Sequence, residues 1–342
     1  MVLRVFIFSV LVAVLAGAAS FYHYQKLLNQ ALSIPNTGLV VEIKKGETLN
    51  SVIHRLQAKG LFDSVWHVKV FAKLNKLGSG IQAGEFKLHP PMNVPKLLAF
   101  LSSNNQLAYP IQFIEGSSFR DALAVLKAES KLKQSLKDAS LQEIAEKLGI
   151  DKETHLEGQF YPDTYLFHKG DSDLDILKRS HERLKTILEE EWQARQKKLP
   201  LASPYDALIL ASIIEKETAV PEERAEIAGV FIRRLEKKMR LQTDPTVIYG
   251  LGERYRGNIT RKHLREFTPY NTYRISGLPP SPIALVGREA IHAALHPKPG
   301  DSLYFVAKGD GSHYFSTTIE EHNSAVRQYQ LKRRSDYRSS AK

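Results

Sequence analysis

ALILASIIEKETAVPEER, residues Ala207 to Arg224, decides how this chain folds. From Ala207 to Ile214 the segment is apolar on nearly every side of a helix, and such a helix belongs at the centre of a core. Asp206 is expected to cap its start. Helical spacing puts Glu217 on the stripe of Leu210, Ile213 and Ile214, and Glu215 on that of Leu208, Ala211 and Ser212. Pro221 stops the first helix and opens a second, whose apolar stripe is Ile227, Ala228, Phe231 and Leu235, with Arg233 and Arg234 outside it. A carboxylate at the tail of a buried helix has two reasons for a raised pKa. The negative end of the helix dipole disfavours its anion, and so does desolvation. An acid protonated near neutral pH suits protonation of a glycosidic oxygen. A surface acid paired with Lys216 or Arg224 is the plain alternative, which this spacing alone leaves open.

Outward from this core, MRLQTDPTVIYGLG (239–252) reads as turn-rich, and TPYNTYRISGLPPSPI (268–283) as a low-charge, proline-stiffened loop. Tyrosine faces suit sugar rings, and amides and hydroxyls suit sugar hydroxyl and acetamido groups. Gln242, Thr243, Asp244, Tyr249, Tyr270 and Asn271 are therefore the candidate substrate-binding residues. Upstream, a long amphipathic helix is predicted from about Asp173 to Lys198, and residues 130–154 are polar and helical in pattern. HLEGQFYPDTYLF (155–167) is aromatic and turn-rich.

Two segments nearer the N-terminus repeat one another. In LVVEIKKGETLNSVIHRL, from Leu39, alternating apolar residues predict a strand, Gly46 a turn and Thr48 a helix cap. IQFIEGSSFRDALAVL, from Ile111, repeats the pattern. Val41 matches Ile111, Ile43 Phe113, Gly46 Gly116, Thr48 Ser118, Leu49 Phe119 and Leu56 Leu126. Between the copies lie a strand, a Pro-rich turn and a short helix from about Val94.

The N-terminus has one early charge, Arg4, then a near-continuous apolar run from Val5 to Tyr22, long enough to cross a bilayer core. Phe21, Tyr22 and Tyr24 follow as interfacial aromatics. A retained anchor is expected. A cleaved signal peptide stays open, because Ala16-Gly17-Ala18 fits a small-x-small site. Either reading exports the rest of the chain.

The 342 residues carry a formal charge of +11, from 48 Lys and Arg against 37 Asp and Glu, which favours an anionic partner or surface. Zinc-finger spacing, an RNP-like strand and a basic helix opening a coiled coil are all missing, so nucleic acid is not expected. With no cysteine, disulfides and thiolate metal sites are excluded. His292 and His296 have zinc-helix spacing, but Ala293 stands where the metalloprotease motif needs Glu, and Pro297 follows at once. They read as structural or solvent-facing; no metal and no cofactor are expected. Gly309-Asp310-Gly311 between two β-like runs reads as a hairpin turn; Glu321, His322 and Asn323 either border the site or cap a final helix, and the cap is the expected reading.

IIEKETAVPEER, QTDPTVIYGLG, PYNTYRISGLPPSPI, LYFVAKGDGSHYFSTTIEEHN and EGQFYPDTY, in this order apart from the last, which precedes them, together resemble the YceG-like family of endolytic murein transglycosylases. The resemblance runs from about residue 38 to 330, leaving 128–150 and the tail beyond 330 unmatched. It implies a membrane-anchored lyase that cuts peptidoglycan glycan strands internally. The family's catalytic acid, a glutamate followed by Thr or Ser near the end of an apolar helix, maps onto Glu217 rather than Glu215. It also implies a 1,6-anhydro product, formed when the sugar's own C6 hydroxyl attacks C1. The first repeat copy resembles LysM-type modules, small units that bind N-acetylglucosamine-containing glycans.

The expected fold class is α+β. We divide the chain into a transmembrane anchor (1–25), a linker (26–37), a LysM-like module (38–102), a second βα repeat with a helical connecting region (103–200), a lytic-transglycosylase-like catalytic domain of helices and short strands (201–330) and a mobile basic tail (331–342). The expected location is the cytoplasmic (inner) membrane, crossed once, with the N-terminus in the cytoplasm and the catalytic domain periplasmic. Partners are peptidoglycan strands, the membrane and peptidoglycan synthases. Two alternatives stay open: a non-catalytic murein-binding scaffold, and a hydrolase using Glu217 with Asp244.

Overall fold

The computed structural model describes residues 2–77 and 80–331. All but the first residue of the basic tail therefore lies outside the described residues. The elements run in the order α1 (Val2–Asn29), β1 (Leu39–Ile43), α2 (Leu49–Ala58), α3 (Trp66–Leu74), β2 (Gly84–Leu88), α4 (Val94–Leu101), β3 (Ala108–Gln112), α5 (Phe119–Ala128), α6 (Leu141–Leu148) and β4 (Thr164–His168). There follow α7 (Asp173–Ala194), α8 (Pro204–Glu217), α9 (Pro221–Glu236), α10 (Asp244–Leu251), α11 (Arg261–Arg265), α12 (Arg288–Leu295), β5 (Tyr304–Ala307), β6 (His313–Ser316) and α13 (Ile319–Val326). The fold is α+β and mostly helical, and the described residues form three two-stranded sheets: β1–β2, β3–β4 and β5–β6.

The described residues form two compact units. One holds the chain up to Tyr109 together with Leu166–Gly170, and the other holds Pro110–Tyr165 and the chain from Asp171 onward. In the first unit β1 pairs antiparallel with β2, Leu39 opposite Leu88 and Ile43 opposite Gly84. Their inward residues Val41, Ile43, Phe86 and Leu88 close over α2, α3 and α4 through Val52, Leu56, Val68 and Leu98. The last turn of α1 joins this core through Leu28, while α1 up to Tyr22 is exposed on all sides. α1 is long and apolar enough to cross a bilayer.

Both repeat copies fold to the same local plan. Gly46 and Gly116 take the left-handed conformation at φ 80° and 73°, where a side chain would be strained. Thr48 and Ser118 then cap α2 and α5 by accepting from the backbone of Ser51 and Asp121. All four paired apolar positions are buried in both copies. The copies differ in their strand partners, β2 for the first and β4 for the second.

The core of the second unit is built round α8. Ala207 to Ile214 are all buried, because α7, α9, α10 and α12 pack on different sides of this one helix. Ala290 and Ala294 of α12, both fully buried, present no bulk, so α12 approaches α8 closely. Ser212, on the same buried helix, donates to Ile209 O and accepts from Ile283 N at 3.0 Å, which fixes the 281–286 segment against α8.

Three helical expectations are corrected. Ser203, not Asp206, is the N-cap of α8: its hydroxyl accepts from Asp206 N, Pro204 takes the first turn, and Asp206 reaches back to accept from Ala202 N. In 130–154 the helix is confined to Leu141–Leu148, closed by a Ser140–Glu143 capping box and a left-handed Gly149. The long helix ends at Ala194 rather than Lys198, with Arg195 already extended in ψ.

Candidate active site

α8 ends at Glu217. Thr218 leaves the helix in an extended conformation, its N–H still bonded to Ile214 O, and its hydroxyl accepts from Val220 N. Pro221 then restarts the chain as α9. The last turn is held from the second repeat copy, because Lys216 Nζ donates to Gly116 O at 2.9 Å, while Gly116 N donates to Leu285 O.

The two glutamates of that turn have different surroundings. Glu215 is spent on structure: it accepts from Gly287 N at 3.1 Å and faces Arg224 at 3.7 Å. Glu217 is half-buried, and its Oε1 accepts a hydrogen bond from Thr243 Oγ1. Burial pushes the Glu217 carboxyl up to about 7; the Thr243 bond works against this rise, and the neighbouring Asp244 anion adds to it. Such a group is about half protonated at neutral pH and can both give and take a proton.

Thr243 is aimed by a threonine cluster. It stands at the N-cap position of α10, yet its side chain caps nothing, because its hydroxyl is turned to Glu217. Its backbone is fixed instead. Thr243 N donates to Thr272 Oγ1 at 3.0 Å, and Thr246 Oγ1 donates to Thr243 O at 2.7 Å. The hydroxyls of Thr246 and Thr272 lie 2.8 Å apart. Before it, Gln242 adopts φ 51°, sparsely populated by residues other than glycine.

That strained turn is gripped by Arg234, expected from sequence to lie outside the apolar stripe. The structure corrects this: Arg234 is 6% exposed. Its NH1 donates to Arg240 O, Leu241 O and Gln242 Oε1, its Nε donates to Leu303 O, and the guanidinium lies 5.0 Å over the Tyr304 ring. The stripe is wider than the pattern suggested because β5 closes over that side of α9.

The other candidates divide. Asp244 is exposed and accepts from Tyr273 OH at 2.7 Å, so Tyr273 joins the Glu217 cluster although sequence reasoning left it out. Desolvation and the Asp244 charge both raise the Tyr273 hydroxyl, which stays a donor. Tyr249 and Tyr270 form a second polar cluster. Their rings meet edge to face at 4.8 Å, Tyr249 OH donates to Glu157 at 3.3 Å, and Tyr270 OH pairs with Ser281 at 2.7 Å. Glu157, from the EGQF stretch, also accepts from Phe119 N, and burial raises its pKa. Neither tyrosine hydroxyl bonds to Glu217.

Asn271 is occupied by its own loop. It is 1% exposed, its amide donates to the carbonyls of His263, Leu264 and Glu266, and its Oδ1 accepts from Tyr273 N. The 239–252 stretch, expected to be turn-rich, contains α10; Pro245 at its first turn suits a helix start as well as a turn. Gly309 and Gly311 do turn between β5 and β6, and Glu321 completes the capping box of α13 with Thr318.

His292 and His296 stack at 4.1 Å beside buried Glu191 of α7. The possible ligand atoms of these three lie within 4.8 Å of one another. Both carboxylate oxygens of Glu191 are engaged, one by Arg288 Nε at 2.6 Å and one by His292 Nδ1 at 2.8 Å, so the cluster ties α7 to α12.

The chain as a whole is similar to known proteins. A profile of the YceG-like family matches residues 41–328. An endolytic murein transglycosylase of Bacillus subtilis is 32% identical over 333 residues, 92% of this chain and 91% of that protein. A protein of the same name from Streptococcus pneumoniae is 25% identical, over 95% of this chain and 65% of its own length. A solved structure of a YceG-like protein from Listeria monocytogenes superposes with a TM-score of 0.54 at 32% identity, covering 85% of this chain and 99% of that one.

Proposed function

The chain belongs to the YceG-like family, and from that premise we propose that it is a membrane-anchored endolytic murein transglycosylase whose single acid and base is Glu217. The observation that carries the reading is the half-buried carboxyl at the end of α8, with a pKa near 7 and one hydroxyl partner.

Glu217 protonates the oxygen leaving C1 of N-acetylmuramic acid, and the C1–O bond to the next sugar breaks. The substrate's own acetamido group and polar groups of the site stabilise the charge at C1. Glu217, now an anion, takes the proton of the C6 hydroxyl as O6 bonds to C1. The proton given in the first step is recovered in the second, no water is consumed, and the product ends in 1,6-anhydro-muramic acid. Attack within one sugar has the advantage of high effective concentration. One carboxyl suffices, whereas ordinary glycosidases need two. Gln242, Thr243 and Asp244 hold the sugar nearest Glu217, and Tyr249 and Tyr270 offer ring faces further along the strand. Asn271 acts indirectly, through its loop.

The β1–α2–α3–β2 order of the first unit supports reading residues 38–102 as a LysM-like glycan-binding module. Residues 201–330 carry the chemistry, and 103–200 support it. α1 remains as the anchor in the cytoplasmic membrane, with its N-terminus in the cytoplasm and the catalytic domain in the periplasm, where nascent strands and peptidoglycan synthases are met.

The test is mass spectrometry of products from purified glycan strands. Anhydro-terminated fragments from the wild type, and none from a folded Glu217→Gln variant, are expected. Reducing-end muramic acid would mean hydrolysis instead. A fully active Glu217→Gln would remove this mechanism.

A further inference from the structure

Helix α3 carries a largely exposed apolar stripe. Trp66, Val70 and Leu74 recur every fourth residue on one face and are 47%, 38% and 72% exposed. Val68 and Ala72 on the opposite face are buried in the first unit's core, and His67, beside the stripe, is buried too. Lys69 and Lys73 flank the stripe on one side. With Lys76 they line a groove of about 660 Å³ between α2 and α3, where Thr48 and Asn50 stand at the start of α2.

The position of this face follows from α1. The last turns of α1 pack against α3 and α4, and the Tyr24 ring lies 5.8 Å from that of Trp66. Tyr24 comes at the end of the exposed apolar run, just after Phe21 and Tyr22, which are 63% and 73% exposed. If α1 crosses the bilayer, these aromatics stand at the headgroup level. Trp66 is in ring contact with Tyr24 and must stand at the same level. The stripe is thus continuous with the surface that lipid already covers.

We propose that α3 lies in the outer headgroup layer of the same membrane as an interfacial helix, with Trp66, Val70 and Leu74 entering the lipid and Lys69 and Lys73 meeting anionic phospholipid headgroups. Apolar residues beside lysines on one short helix are the pattern of interfacial binding. Basic residues at that depth sit in the field of anionic lipid. The proposal rests on the reading of α1 as a retained anchor. Two contact points, instead of one flexible tether, then hold the first unit at a set height and tilt above the bilayer.

The test uses the full chain with Trp192→Phe, which leaves Trp66 as the sole tryptophan. The protein is placed in nanodiscs of phosphatidylcholine, with or without phosphatidylglycerol, containing lipid brominated near the top of the acyl chain. A control chain carries Tyr22→Trp with both native tryptophans changed to Phe. Quenching of both probes is expected, with Trp66 quenching about twofold stronger in anionic discs and that gain abolished by Lys69→Glu with Lys73→Glu. Quenching at position 22 but not at Trp66 would overturn the proposal and leave the anchor intact; no quenching at either would mean that α1 itself is not in the bilayer. Trp66 shielded from acrylamide but out of reach of brominated lipid would assign the stripe to another protein surface, and so overturn the proposal. Equal quenching in both lipid mixtures would overturn the role of the lysines.

Discussion

Thr243 Oγ1 donates to Glu217 Oε1, and that bond joins the last residue of α8 to the N-cap of α10. An N-cap threonine ordinarily spends its side chain on its own helix. Here the hydroxyl serves a carboxyl 26 residues away in sequence, and the helix start is held by Thr246 and Thr272 instead.

Thr243→Val should therefore cost little stability, about 1 kcal/mol or less, since no cap is lost. Its effect falls on Glu217. A hydrogen bond to the anion lowers a pKa, so its removal raises the Glu217 value further above 7. The acid form persists to higher pH and the base form becomes scarce. The measurement is the pH profile of anhydro-product formation, whose alkaline limb should move to higher pH, because Glu217 enters the cycle as the acid. An unmoved profile would show that the bond is not made in the working enzyme.

Glu217→Gln should stabilise the folded protein at alkaline pH. The folded pKa is raised from 4.5 to about 7, so the folded state binds the proton more tightly than the unfolded state. The associated stability is fully present below about 4.5 and lost as pH rises through 7. At pH 8 the wild type carries a half-buried anion, at a cost on the order of 1–2 kcal/mol once screening by water is allowed for. Thermal unfolding should show Glu217→Gln above wild type at pH 8, with the difference shrinking towards pH 5. A constant difference across that range would refute the linkage.

Asn271→Ala should be a stability mutation first. It leaves the carbonyls of His263, Leu264 and Glu266 without their donor, in a loop where the side chain is 1% exposed. A loss of about 2–3 kcal/mol is expected, seen as a lower denaturation midpoint. Normal stability with weakened glycan binding would instead make Asn271 a direct ligand.

Arg234→Lys should separate charge from geometry. Lysine keeps the positive charge but cannot match the guanidinium fork that reaches Leu303 O on one side and the 240–242 turn on the other. Strand cleavage should fall about tenfold, with KM for glycan rising less than kcat falls, because the turn aims Thr243 at the acid. Full activity would show that the strained Gln242 turn holds without the fork.

Much of this was legible before any coordinates. The start of α9 at Pro221, the glycine turns at Gly46 and Gly116 and the caps at Thr48 and Ser118 follow from interactions spanning a few residues, and local sequence encodes such interactions directly. The apolar run of Ala207–Ile214 announced a central helix, and its end announced Glu217. Several long motifs in their order suggested the family.

Other features depended on which distant segments meet. Asp206 and Ser203 are both good caps, and the choice fell to the one whose hydroxyl reached Asp206 N. Asn271 and Thr243 looked alike as sugar ligands, yet one is folded into its own loop and the other faces the acid. Arg234 looked solvated until β5 covered it. A buried polar group takes whatever partner the packed chain brings within about 3 Å. Short-range pattern determined the helices and turns of this protein, and only tertiary packing decided which polar side chains stand beside Glu217.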